Sequence, residues 1–331
     1  MVGGLPARRA GGRICVVFGA GLAALLLLAL AQAFRMSPPS PAAPVAAAGG
    51  AVETGPSVPL AAASVQATRP PVAAPPRAAL ATVVPSRLRR MFDHADDLYA
   101  YSRELVPEIR AGNAEAMWLM SRVVDYCASY ASNPSAYAED SRALGTLRIP
   151  ASVAMAAARN RVGERCRRFT AGDGFTPALA RQLRLDAVRA GSLAAEAELF
   201  SAGEPISPDA DYAGDLVDRV RSSRDPDAYN AIAPAMAGEG FVGTTALPDG
   251  LDRLAPQFRM LVWQLAACRL GLDCGPDSAL MTAYCVNGGI CSRDPGQGFE
   301  DFVFDAAIPR QSAGLVRRLV DALVADIGGG Q

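Results

Sequence analysis

Lysine is absent from the 331 residues, so all 32 basic side chains are arginine. Schiff-base catalysis is thereby excluded, because no ε-amine exists to form the imine. Coding bias in a G+C-rich genome accounts for such usage without any selection for bidentate anion contacts. Histidine is nearly absent too: His94 alone would have to serve a Ser-His-Asp triad, and no Gly-x-Ser-x-Gly elbow exists to meet it. The Gly238 to Gly250 stretch lacks the lysine and the strand-to-helix setting of a phosphate-binding loop. Aromatic residues make up only 6% of a chain that is half apolar and rich in alanine. Closely packed helices suit that composition better than a β-sandwich, and the expected fold class is all-α.

Charge is unevenly placed. Residues 1–35 carry Arg8, Arg9, Arg13 and Arg35 with no acid, a balance of +4, and residues 36–85 add +1, which leaves −6 for the remainder of a chain whose net charge is −1. An acidic domain is a poor polyanion binder, since nucleic-acid affinity rests on neutralising phosphates. No nucleic-acid partner is expected.

Residues 1–13 form a basic lead to the uncharged run from Ile14 to Phe34, whose 21 residues match the roughly 20 that a helix needs to span a bilayer core. By the positive-inside rule the arginines stay cytoplasmic and the chain after Arg35 is exported. Ala31-Gln32-Ala33 also satisfies the small-x-small pattern of a signal cleavage site. Two outcomes stay open: a single-pass inner-membrane anchor over 14–34 with a periplasmic C-terminal domain, or a periplasmic protein released by cleavage at Ala31 and Ala33. Cys15 sits within the apolar run, where it does not serve lipidation. Residues 35–85 hold eleven prolines among Ala, Val, Ser and Gly with hardly a charge, which reads as a disordered, semi-rigid linker.

Residues 86–331 form the expected helical domain. Leu88, Met91, Ala95, Leu98, Ser102, Leu105 and Ile109 fall on one helical face, which predicts a first helix from Ser86, kinked at Pro107 and ended by Gly112. Four pairs place a capping residue before proline and predict helix starts: Thr176-Pro177, Ser207-Pro208, Asp225-Pro226 and Gly275-Pro276. Further helices are predicted near 114–131, 136–144, 151–169, 193–201, 256–269, 299–308 and 313–326. About ten helices with short turns suggest an irregular α-solenoid or helical array.

Two segments look related: Ala111 to Met120 (AGNAEAMWLM) and Ala190 to Phe200 (AGSLAAEAELF), 79 residues apart, about twice a 40-residue helix-turn-helix unit. The stretch from Ala187 to Tyr212 places Ala187, Gly191, Ala195, Leu199, Gly203 and Asp209 so that it resembles the Sel-like tetratricopeptide repeats. There Ala-x-x-Gly-x-x-x-Ala-x-x-x-Leu opens a unit and Gly and Asp close it. The resemblance covers about a third of the domain and departs from the family across the C-terminal cysteines. It implies a scaffold that binds other proteins and carries over no catalytic residue.

Beyond Cys15 the cysteines are Cys127, Cys166, Cys268, Cys274, Cys285 and Cys291, an even number in an exported chain, which argues for three disulfides. Cys127 with Cys166 is expected, because a short returning helix between theirs brings the two late positions together. Within the cluster of four, Cys268 with Cys274 and Cys285 with Cys291 are favoured, with both crossed connectivities open. The C-x5-C spacing lies outside the usual zinc range, so no metal is expected. Redox catalysis would call for C-x-x-C at a helix start, which is missing.

Glycan cleavage needs only one or two carboxylates in a groove, so Glu104, Glu108, Glu115, Glu196 and Glu198 are candidate acids, each also placed as a solvated helix face would place it. The run Arg159, Arg161, Arg165, Arg167 and Arg168 is either an anion patch or a solvated face; Trp118 and Trp263 sit at core positions. The function expected is a non-enzymatic periplasmic interaction or assembly module without a cofactor. Its partners would be envelope proteins, and the alternative is a carboxylate-dependent peptidoglycan or polysaccharide hydrolase with a buried Glu of raised pKa in a deep groove.

Overall fold

The computed structural model describes residues 85–147, 149–238, 250–251 and 254–325. The apolar run 14–34 with Cys15, Ala31 and Ala33, the linker up to residue 84 and most of the 238–250 loop lie outside the described residues. Among the described residues there are thirteen α-helices, one 3-10 turn at Ala171–Asp173 and no strand, so the fold is all-α. None of these helices is long and apolar enough to cross a membrane.

The predicted first helix is two. α1 (Arg87–His94) and α2 (Leu98–Arg110) are separated because Asp97 turns its carboxylate onto the Tyr99 and Ala100 amides, at 3.0 and 3.1 Å, and restarts the helix. A capping bond of this kind competes with helical periodicity and here wins over it. α2 ends at Gly112, whose φ of +82° suits only glycine without strain, and α3 (Ala114–Ser132) follows with Asn113 as its cap. The same turn recurs between α6 (Pro177–Arg189) and α7 (Leu193–Ser201): Gly191 has φ +97° and Ser192 caps the Ala195 amide. Even the backbone bonds match. Asn113 N–H donates to the Glu108 carbonyl and Ser192 N–H to that of Ala187, six-residue closures at both helix ends.

Between α3 and α6 the hairpin of α4 (Pro134–Thr146) and α5 (Pro150–Cys166) lies against α3. The chain then continues through α8 (Tyr212–Ser223), α9 (Pro226–Met236), α10 (Pro256–Leu270), α11 (Ala279–Gly288), α12 (Phe299–Ala306) and α13 (Ala313–Ala325). Two of the four proline signals mark no helix. Ser207 ties its hydroxyl to the Asp209 amide, leaving Pro208 in a turn, and α8 starts at Tyr212. After Gly275-Pro276 the chain stays irregular, because Cys274 is held by a disulfide and its carbonyl by Phe299 N–H at 2.8 Å; Ser278 then caps α11. The break in the first helix adds one to the expected number, and thirteen helices stand among the described residues.

Packing follows the chain: α3 on α6, α6 on α7, α7 on α9, α9 on α10, α10 on α13. Alanines at the contacts let the axes of α7, α9 and α10 come close, with Ala195, Ala197, Ala228, Ala233, Ala266 and Ala267 wholly buried. Trp118 and Trp263 are core residues as expected, 2% and 0% exposed.

All three cysteine pairs stand in disulfide geometry: Cys127 with Cys166, Cys268 with Cys274, and Cys285 with Cys291, the favoured connectivity. The first joins α3 to the end of α5 across 39 residues, with α4 as the returning helix. The others close loops of six residues each after α10 and α11. Loop-closure entropy gives the long bridge about 4 kcal/mol and each short one about 2 kcal/mol. Denatured, unreduced full-length protein should therefore show no more than one reactive thiol out of seven cysteines. Replacing Cys127 and Cys166 together by serine should lower stability in urea unfolding by more than removing either short bridge, and the reverse ranking would count against this account.

Candidate functional site

A groove of about 510 Å³ lies between α5 and the Cys285–Cys291 loop. One stripe of α5 supplies Val153, Ala154 and Ala157; α11 supplies Met281; the disulfide forms a wall. At the rim Arg161 pairs with Asp277 at 3.2 Å. The loop beyond the disulfide is internally braced: Ser292 donates to Gln297 at 2.6 Å, and Asp294 accepts from the Gly296 amide at 2.8 Å. This is a preformed concavity with a hydrophobic floor.

Five large apolar side chains stand exposed among the described residues; Val153 lines this groove, and Ile149 and Ile290 are next in the chain to its lining residues Pro150 and Cys291. Clustered exposed apolar side chains mark contact surfaces where scattered ones do not. Sequence reading missed them because the arginines of α5 dominate its pattern. The available signal was Val153 and Ile149, which fall off the face that Ala156, Val162 and Cys166 bury.

The candidate acids are spent on structure. Glu196 is 7% exposed and takes both Arg219 amino groups, at 2.6 and 2.8 Å, plus the Tyr212 hydroxyl at 3.0 Å. Glu108 accepts from Asn113, Glu115 from Ser86, Glu198 lies 3.6 Å from Arg184, and Glu104 is an exposed neighbour of Arg87. None of the five lines the groove.

Of the arginine run, Arg159, Arg161 and Arg165 are half-buried against neighbouring elements, and Arg167 and Arg168 lie exposed. Arg159 reaches Ser141 at 3.0 Å and lies over the Tyr137 ring; Arg161 pairs with Asp277; Arg168 pairs with Asp97 at 2.9 Å. Arg165 donates to the carbonyls of Phe92 and Ala95, closing the C-terminal end of α1, and Arg167 donates to the Glu164 carbonyl. His94 is exposed at the end of α1.

Three acids, Asp93, Asp125 and Asp225, are pushed up, each first by burial. Asp93 is pushed up to about 6, first by burial and next by the Asp273 carboxylate, against the opposing pull of Arg89, His94 and Arg165. It borders a recess of only about 20 Å³, too small for a substrate. With 180 residues between them, Asp93 and Asp273 share no sequence motif. No protein-family model, curated protein or solved structure matches this chain.

Because the folded state holds the Asp93 proton more tightly than the unfolded chain, whose aspartates titrate near pH 4, Asp93 subtracts stability as pH rises from about 4 through about 6. Asp93→Asn should therefore raise the free energy of unfolding at pH 7.5, by on the order of 1–2 kcal/mol, and leave it little changed at pH 4. A variant that is destabilised at pH 7.5 and unchanged at pH 4 would show instead that the carboxylate is needed in its charged form.

Proposed function

We propose that the chain is a non-enzymatic interaction module of the cell envelope that seats a partner protein in the groove between α5 and α11. The observation that carries this reading is a preformed concavity walled by Val153, Ala154, Ala157 and Met281, with Val153 itself half exposed and the exposed Ile149 and Ile290 next in the chain to its lining residues. The occupant best suited to it is an apolar anchor side chain from a partner segment, since the rim charges Arg161 and Asp277 already satisfy each other.

Three further features support the reading. Two helix hairpins with like turns at Gly112 and Gly191 pack on one another through α3 and α6, the kind of contact that the resemblance to Sel-like repeats implies, with the α4–α5 hairpin inserted between them. Three disulfides favour an oxidising compartment, in keeping with the arginine-led apolar run at 14–34 and export to the periplasm. The proline-rich stretch up to residue 85 would serve as a spacer between inner membrane and domain.

A photocrosslinking residue placed at Val153 of the full chain in cells should yield a discrete adduct, absent when the same probe replaces Ser222 on exposed α8. Adding Ala157→Asp, which puts a charge on the groove floor, should abolish that adduct while the protein still accumulates. Identical adducts at both positions, or an adduct indifferent to Ala157→Asp, would overturn the groove as the binding site.

A further inference from the structure

On the other flank of α11 lies a second cavity, of about 200 Å³, bounded by α3, α4, α5 and the end of α1. Its wall is largely apolar, with Phe92, Val162, Ala283 and Val286 beside the rings of Tyr126 and Tyr137. At that volume it falls below the roughly 300–1,000 Å³ of sites for drug-sized ligands, so it takes a small occupant.

Two charged side chains line the cavity, Arg122 and Asp125, both from α3. They differ in what holds them. Arg184 of α6 takes the Asp125 carboxylate. Arg122 is half-buried, yet among the described residues it has neither an ion pair nor a hydrogen bond. Its guanidinium lies 5.6 Å from the centre of the Trp118 ring and within electrostatic reach of Asp125. The half-buried arginines of α5 are engaged, by contrast: Arg159 with Ser141, Arg161 with Asp277, and Arg165 with the carbonyls of Phe92 and Ala95. Two of these, outside the lining, lie over its aromatic rings, Arg165 over Tyr126 at 4.9 Å and Arg159 over Tyr137 at 3.9 Å. Cations thus outnumber the one carboxylate on the cavity wall, which favours an anion there.

A single unmatched guanidinium also sets the charge and shape of that anion. One carboxylate meets the planar fork with two parallel N–H···O bonds, whereas the second charge of a phosphate would be left against Asp125. The apolar wall calls for an apolar body in the same molecule, since only such a body releases the water from it.

From this lining we infer that the cavity between α3, α4 and α11 is a binding site for a small monocarboxylate with an apolar body, an aromatic or branched aliphatic acid. The Arg122 guanidinium takes the carboxylate, and Phe92, Val162 and Val286 receive the body. The site is separate from the protein-binding groove and does not depend on it.

The test is calorimetry with saturation-transfer NMR on the purified full-length chain, using benzoate, phenylacetate and 4-methylpentanoate and the primary amide of each. At least one acid should bind saturably, with its amide about tenfold weaker or more, and Arg122→Gln should weaken that acid about tenfold. Ala283→Leu, which narrows the cavity from α11, should weaken it as well, while Val153→Ser, in the groove, should bind as the wild type does. Saturable binding by none of the three acids would overturn the proposal. An amide that binds as tightly as its acid would overturn it too, because the charge would then go unrecognised, and so would full binding by Arg122→Gln. Loss of binding in Val153→Ser would overturn it by moving the acid to the groove. If Arg122→Gln fails to accumulate, Ala283→Leu decides, since undiminished binding there would put the acid outside this cavity.

Discussion

The Arg89 guanidinium is the interaction on which the arrangement of helices depends. It is 6% exposed on α1 and meets the Asp227 carboxylate, with Asp225 at 3.8 Å, both at the start of α9. Burial is the largest influence on it and pulls its pKa down, so the charge is tolerable there only because carboxylates face it. Asp225 also caps α9 through the Asp227 amide at 2.9 Å, and the start of a helix is where negative charge is favoured. One ion cluster thus seats the first helix of the domain on its ninth. With α1 held there, Phe92 and Asp93 are carried between α3 and the Asp273 loop, which creates the recess that burdens Asp93 and one wall of the second cavity.

Arginine does similar work at other helix ends, where carbonyls are left without partners. Arg165 serves the last carbonyls of α1, and Arg259, 4% exposed, donates to those of Met236 and Gly238 at 2.9 and 3.0 Å beyond α9. A planar fork reaches two carbonyl oxygens at once, which a lysine ammonium on a flexible stem does less well. Whatever set the composition of the chain, the fold uses the geometry of the side chain it received. Arg159, Arg161 and Arg165 of α5 accordingly act as braces to the elements beside it.

What could be read from sequence was local. Helix bounds such as Leu193–Ser201 followed from a cap and an alanine pattern, and the bridge from Cys127 to Cys166 followed from a returning helix that aligned two late turns. Misreadings also arose locally, where one side chain overrode a pattern: the Asp97 carboxylate broke a helix whose apolar spacing was unbroken, and Ser207 turned Pro208 out of one. The sites were not legible, because each is assembled from distant segments. Nothing in the sequence around Arg122 distinguishes a guanidinium left without an ion pair or hydrogen bond among the described residues from one that has found a backbone carbonyl, as Arg165 does at Phe92.

α11 joins the two concavities. Met281 and Cys285 border the groove, while Thr282 and Val286 border the second cavity, two stripes of i,i+4 residues one position apart and so about 100° around the same helix. The helix is only ten residues long, begins at the Ser278 cap and is tied at its far end by the Cys285–Cys291 bridge. The wall between the groove and the second cavity is therefore a single short helix, fixed at its start by the Ser278 cap and near its end by a disulfide.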